Sequence, residues 1–186
     1  MSFEIRPWNF SDIPEIKKFT DVAIGVDYYR ISELENIFEK SKLSGQIFSL
    51  LLIEEQNSIQ GIRITYPQTK WEKGKGKGLS PEKWGVPFQH CAYFQSLFVS
   101  LNLTGQGWGH KMSLVAIELL KKVNAKAIVT HSWKESPNDS SGKYLRKLGF
   151  QIVSTHPRYW FDVDYECTRC GRPCVCTAEE MILKLN

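Results

Sequence analysis

Ten residues near the C-terminus, "CTRCGRPCVC", hold four of the chain's five cysteines: Cys167, Cys170, Cys174 and Cys176. Thiolates in a C-x2-C-x3-C-x-C run can complete a tetrahedral zinc shell. With every ligand supplied by protein, such a site is closed and structural. Gly171 follows the first pair, as in a knuckle whose backbone N–H groups support sulfur. Free or redox-active cysteines and a different metal are the alternatives, and the x3/x spacing is tight for an iron–sulfur cluster. Two disulfides in ten residues would require an oxidising compartment. The fifth cysteine, Cys91, opens an apolar run and reads as a small buried hydrophobe.

A second signature is "SLFVSLNLTGQGWGHKM", residues 96–112. An apolar strand-like run ends in a polar turn with Gly105, Gly107 and Gly109 at alternate positions, and a helical pattern starts at once. A helix N-terminus carries unpaired N–H groups and partial positive charge, and glycines there let a ligand approach the backbone. The arrangement reads as an anion cradle, most often for phosphate. The spacing is neither GxxxxGK[ST] nor GxGxxG. The plain alternative is a turn that needs small residues.

The surrounding elements follow from periodicity and punctuation. "FEIRPW" reads as a strand. "NFSDIPEIKKFTDVAI" reads as a helix with Ser11 as N-cap, and "SELENIFEKSK" as a helix with a Ser32–Glu35 capping box. "GQIFSLLLIEEQ" and "SIQGIRITYP" are strands joined by a Gln56–Asn57 turn. Residues 68–90, rich in Lys and Gly, read as a long solvated loop. Its Lys70, Lys73, Lys75, Lys77 and Lys83, interleaved with Trp71 and Trp84, are the alternative signal for a nucleic-acid or acidic-acceptor surface that gates access. "CAYFQSLFVS" is a strand and "GWGHKMSLVAIELLKKVN" the strongest amphipathic helix. "AKAIVTHSW" is a buried strand, and "PNDSSGKYLRKLGF" a capped helix ending at Gly149. "QIVSTHPRYWFDV" and "EEMILKLN" close the chain as strands. The order β-α-α-β-β-β-α-β-α-β-β specifies a mixed α/β sheet with helices on its faces.

The run 95–150 resembles the GNAT superfamily of N-acetyltransferases, and the likeness extends over most of residues 3–165. The family motif [RQ]-x-x-G-x-[GA] meets Thr104, Gly105, Gln106, Gly107, Trp108 and Gly109; both small positions match, and Thr104 stands where Arg or Gln is usual. Asn138, Ser141, Gly149 and Phe150 fall in register with a second family motif. The resemblance implies a mostly antiparallel GNAT-like sheet over residues 1–186 as one domain, and the cysteine spacing adds to it an embedded zinc-stapled turn at 167–176. It also implies acetyl-CoA as co-substrate, with its diphosphate on the 104–109 turn. The pantetheine would pair with the backbone around Leu97, Phe98 and Val99, and Asn138 would be an N-cap in reach of the cofactor. Transfer would be direct, in a ternary complex with a small-molecule or peptide amine, and family members commonly dimerise.

The family's proton-transfer positions are altered. The usual Tyr is Leu145, with Tyr144 one residue earlier and about 100° around the helix, and the usual strand Glu is Gln95. Tyr144 is the candidate acid, against a packed aromatic with its hydroxyl at the surface. His131, then His90, are candidate bases, against structural histidines. Deprotonating a lysine amine at pH 7 costs about 4.6 kcal/mol, an α-amine about 1 kcal/mol, so a weak base favours low-pKa acceptors. The altered positions also allow a non-catalytic acyl-CoA sensor, and the Cys cluster with the Lys/Trp loop allows an adaptor. The net charge of +4 is too small to argue for nucleic acid. No run is long and apolar enough to span a bilayer, and the N-terminus lacks a secretory pattern, so a cytoplasmic protein is expected.

Overall fold

A computed structural model describes residues 2–55, 58–72 and 78–185. The expected Gln56–Asn57 turn and Lys73, Lys75 and Lys77 lie outside the described residues. The strands are β1 (Phe3–Pro7), β2 (Lys42–Leu43), β3 (Gln46–Ile47), β4 (Leu50–Glu54), β5 (Ser58–Tyr66), β6 (Cys91–Val99), β7 (Ala127–Trp133), β8 (Gln151–His156) and β9 (Ala178–Lys184). The helices are α1 (Ile13–Ala23), α2 (Ile31–Lys40), α3 (Trp108–Lys122) and α4 (Ser140–Lys147).

Seven strands form one sheet in the order β1-β4-β5-β6-β7-β9-β8. All neighbouring pairs are antiparallel except β6 and β7. Ile13, Ile16, Leu34 and Ile37 of α1 and α2 pack with Ile62, Ile64 and Tyr93 on one face. Met112, Ala116, Leu120 and Leu145 of α3 and α4 pack with Leu50, Phe94 and Ile128 on the other. The central strands are therefore covered on both sides, which their unbroken apolar runs require.

Local chemistry shifts several expected boundaries. Residues 10–12 form a 3-10 turn running into α1, so Ser11 is not its cap. Asp12 takes the Asn9 N–H at 2.7 Å and the Arg6 guanidinium at 2.7 and 2.9 Å. The α2 capping box lies two residues earlier than expected: Arg30 N–H donates to the Glu33 carboxylate at 3.0 Å. The expected strand from Gly45 breaks at Phe48–Ser49, leaving β3 to pair with β2 and β4 to join the sheet. The strand from Gln151 stops at His156, because Pro157 follows and Arg158 adopts φ 54°. The chain then runs irregularly through the cysteine cluster to β9.

The long connection 67–90 is not a solvated loop in its described part. Trp71 and Trp84 are 3% and 1% exposed. Their rings stack 6.1 Å apart, and Trp71 also stacks on Tyr93. Glu180 anchors the segment: its buried carboxylate accepts from the Trp84 indole at 2.6 Å and from the Ser80 N–H at 3.0 Å. Both tryptophans pack inside, in the apolar cluster that includes Tyr66 at the end of β5 and Cys91 and Tyr93 at the start of β6. That removes the stacking platform a nucleic-acid surface would need.

Candidate active site

β6 and β7 are paired only from Cys91–Ala127 to Phe94–Thr130. Thr130 Oγ1 donates to the Phe94 carbonyl at 2.8 Å where the strands part. Beyond this point β6 continues to Val99 against β5 alone, and β7 continues to Trp133 against β9. A bulge sits at the same place: Ile64 pairs with Ser96 but Thr65 with Phe94, so Gln95 is the extra residue. The bulge re-aims the strand, so that Phe94 and Leu97 both face α3 and α4. The wedge opens into a cavity of about 520 Å³ whose wall includes Gln95, Ser96, Leu97 and Phe98; Val99 lies beyond it.

The glycine turn abuts that strand. Gly105 and Gly107 have φ of 81° and 83°, in the left-handed region, with open space where a Cβ would stand. Gly109 serves close approach instead: a Cβ there would lie 2.9 Å from Leu97 Cδ2. The first α3 hydrogen bond is from Lys111 N–H to the Gly107 carbonyl at 3.0 Å, so the amides of Trp108, Gly109 and His110 precede the ladder. Thr104 Oγ1 turns back to the Ser100 carbonyl at 3.4 Å, and the Gln106 side chain to the Asn102 carbonyl at 2.8 Å. Trp108 packs on Phe3, 4.8 Å between ring centroids.

Asn138 is placed differently from expectation. It sits exposed in a 3-10 turn with φ 54°, outside the cavity wall, and Asp139 holds the cap position of α4. Ser136 Oγ instead accepts the Ser141 N–H at 3.1 Å, so the cap contact comes from a serine two residues upstream. Tyr144 does not present its hydroxyl at the surface. It lines the cavity, and its hydroxyl lies 2.6 Å from the buried Ser113 Oγ of α3. α4 lies across the sheet so that Leu145 enters the core while Tyr144 reaches α3.

Opposite α3 and α4, the cavity wall is aromatic: Tyr28, Tyr29, Tyr93, Tyr159, Trp160 and Tyr165. His131 lies among them. Its Nδ1 is 2.9 Å from the Tyr93 hydroxyl and 3.2 Å from that of Tyr159, and its Nε2 is 3.1 Å from the Gly78 carbonyl. The carbonyl can only accept, so Nε2 carries the proton and Nδ1 accepts from a tyrosine. Burial drives its pKa down to about 4, so the ring is neutral at pH 7. His156 Nε2 meets Glu180 Oε2 at 2.7 Å. Burial works against the Glu180 carboxylate, yet hydrogen bonds from His156, Ser80 and Trp84 hold its pKa below the ordinary range. His90 is exposed and outside the cavity wall. Cys91 is fully buried with its pKa raised to about 11 by burial, a packing residue as expected.

The four clustered cysteines bring their sulfurs within 4.8 Å of one another. Sγ separations are 3.8 Å for Cys167–Cys176, 3.8 Å for Cys170–Cys174 and 3.7 Å for Cys170–Cys176, and all four thiols are free. Cys167 and Gly171 exchange backbone hydrogen bonds at 3.2 and 2.9 Å, with Gly171 at φ 71°. Burial disfavours the Cys167 thiolate, but N–H groups of Arg169 and Cys170 donate to it and bring its pKa down to about 6. Tyr165, Glu166, Cys167 and Thr168 also line the cavity, so this knuckle walls the site.

Sequence reasoning missed Arg63, Tyr93, Tyr159 and the Glu180 anchor. Arg63 had a signal, a cation between Ile62 and Ile64 in a central strand. The tyrosines meet across three separate elements, and nothing local marks that.

No family model matches the chain, and no curated protein does. Solved structures do. The ribosomal-protein-S18-alanine N-acetyltransferase from Escherichia coli superposes with a TM-score of 0.70 at 14% identity, over 100% of this chain and 95% of that one. The NatC complex bound to Gag peptide and CoA gives 0.71 at 16%, over the whole of both chains. The protein yncA from Salmonella typhimurium, solved with its cofactor acetyl-CoA, gives 0.67 at 19%, over 100% and 95%. The parted parallel strands, the bulge beside them and the glycine turn at α3 thus sit within the fold of the GNAT N-acetyltransferases, which this chain shares from end to end.

Proposed function

We propose that residues 1–186 form one acetyltransferase domain that transfers acetyl from acetyl-CoA to an amine by direct attack in a ternary complex. The supporting observation is the parting of β6 from β7 after Phe94 and Thr130, beside the left-handed Gly105–Gly107 turn. An extended pantetheine can pair with the freed backbone of Leu97 and Val99 as a strand would. The leading amides of α3 would hold the diphosphate. Two of the superposed structures hold CoA or acetyl-CoA, which supports this reading.

The acceptor would enter through the tyrosine-lined side. A low-dielectric wall favours the neutral amine that must attack the thioester carbonyl. As the N–C bond forms and C–S breaks, the amine proton would pass to His131 Nδ1 along the Tyr93 or Tyr159 hydroxyl. Tyr144, held by Ser113, is the candidate proton donor to the departing thiolate. An imidazole with a pKa of about 4 is a weak base, so an α-amine or another low-pKa amine suits the site better than a lysine side chain. Higher kcat/KM on lysine side chains than on α-amines would overturn that preference. CoA binding without turnover on a broad amine panel would favour a sensor, the reading that Gln95 and Leu145 support.

The knuckle reads as a structural Zn2+ site. With Zn–S of ~2.3 Å, a tetrahedron has S···S edges of about 3.8 Å, which three of its six edges meet at 3.7–3.8 Å while all four sulfurs stay within 4.8 Å. Zinc thiolates also fit a reducing, cytoplasmic setting.

The carrying experiment is calorimetric titration of CoA into Gly107→Ala. A Cβ at φ 83° strains the turn and stands where the diphosphate would lie, so affinity should fall about tenfold or more while the far-UV spectrum holds. Unchanged affinity in the folded variant would refute the reading.

A further inference from the structure

Arg63 is a cation in the wrong place for a purely structural residue. It is 2% exposed, at the centre of the sheet, with its guanidinium carbon 3.5 Å from the centroid of the Phe94 ring. Its Nε and Nη2 have no hydrogen-bond partner. Among the described residues no carboxylate pairs with it. Burial lowers its pKa only to about 10, so it keeps its proton at pH 7. A buried charge without a counter-ion is costly to a fold, and an apolar residue of the same volume commonly stabilises such a site.

The position gives that cost a use. Arg63 lies opposite Leu97 in the β5–β6 register, on the face covered by α3 and α4, and it lines the cavity where β6 leaves β7. The rest of the wall is mostly aromatic and hydroxyl-bearing, and Glu166 is its one acidic side chain. Nε and Nη2 share one edge of the planar guanidinium, a donor pair suited to a carboxylate; protein encloses that edge in this structure, so a ligand carboxylate reaches it by displacing the neighbouring side chains.

We propose that Arg63 is a carboxylate-binding, specificity-determining residue of this cavity. Its ligand is a carboxylate on the acyl group of the donor or on the acceptor. The inference rests on the acyl-CoA reading above.

The test uses the full chain with two pairs of compounds. In the donor arm, succinyl-CoA is compared with butyryl-CoA by calorimetry and by turnover. In the acceptor arm, phenylalanine is compared with phenethylamine in the presence of acetyl-CoA. One arm should show a preference of about tenfold or more for the carboxylate, the scale of one charge-assisted hydrogen bond. The arm that responds identifies the source. Arg63→Met should abolish the preference while melting, without ligand, at or above the wild-type temperature; Arg63→Lys should retain part of it. Absence of a preference in both arms, with CoA itself bound, would overturn the proposal and leave the acyl-CoA reading standing. A destabilised Met variant that keeps the preference would make Arg63 structural and overturn it too. Failure to bind CoA at all would remove both readings.

Discussion

At the residue scale, the site depends on groups whose environment departs from their ordinary chemistry. His131 is the clearest. Its folded-state pKa of about 4 lies below the ordinary ~6.5, so the unfolded chain takes up a proton first as pH falls. Stability from this residue is therefore intact near pH 7 and is lost as pH falls from about 6.5 towards 4. Between pH 7 and pH 5 the loss should be about 2 kcal/mol. Urea denaturation at the two pH values measures it, and His131→Gln should flatten the slope. Glu180, whose folded-state pKa is lowered, contributes stability that is lost only at more acidic pH, so the two windows separate. Tyr144 shows a residue-scale misfit of another kind. Its sequence position turns it away from the family's catalytic register, yet its hydroxyl ends 2.6 Å from Ser113 at the cavity wall.

At the element scale, the segment before β6 and the glycine turn after it do opposite work. Residues 78–90 are held down by one buried carboxylate, Glu180, which ties the Ser80 backbone and Trp84 to β9. Glu180→Ala strands two buried donors and should cost on the order of 3 kcal/mol. Hydrogen exchange at Ser80–Gly85 should accelerate with it; unchanged protection there would show that Trp71–Trp84 stacking suffices. The 104–109 turn is built to stay open. Left-handed glycines and the Gly109–Leu97 approach bring the α3 amides to the edge of β6 without filling the space beside them.

At the scale of the whole molecule, one sheet carries two cores, a wedge where β6 parts from β7 and a cysteine knuckle that shares a wall with the cavity. Tyr165 couples the last two, since its hydroxyl meets Cys174 Sγ at 3.2 Å and its ring contacts Tyr28 at 5.7 Å. Purified protein should carry about one zinc per chain, and its melting temperature should rise with free zinc after chelation, as linkage requires. Metal content near zero with four reactive thiols would contradict the zinc reading. Much of this was legible in the chain itself. The cysteine spacing marks a four-sulfur cluster, the alternating glycines mark the turn, and β-α-α-β-β-β-α-β-α-β-β marks the sheet, because each depends on neighbours within a few residues. What only the tertiary structure decided is whatever long-range packing assigns. Trp71 and Trp84 are core rather than surface because a distant glutamate receives them. Asn138 is exposed because α4 takes its cap contact from Ser136. Arg63 is buried because helices cover both faces of its strand, and Tyr93, Tyr159 and His131 meet in one hydrogen-bonded cluster because three elements converge on one point. Local rules fix which backbone shapes are available; the free energy of burying one element on another chooses which side chains meet.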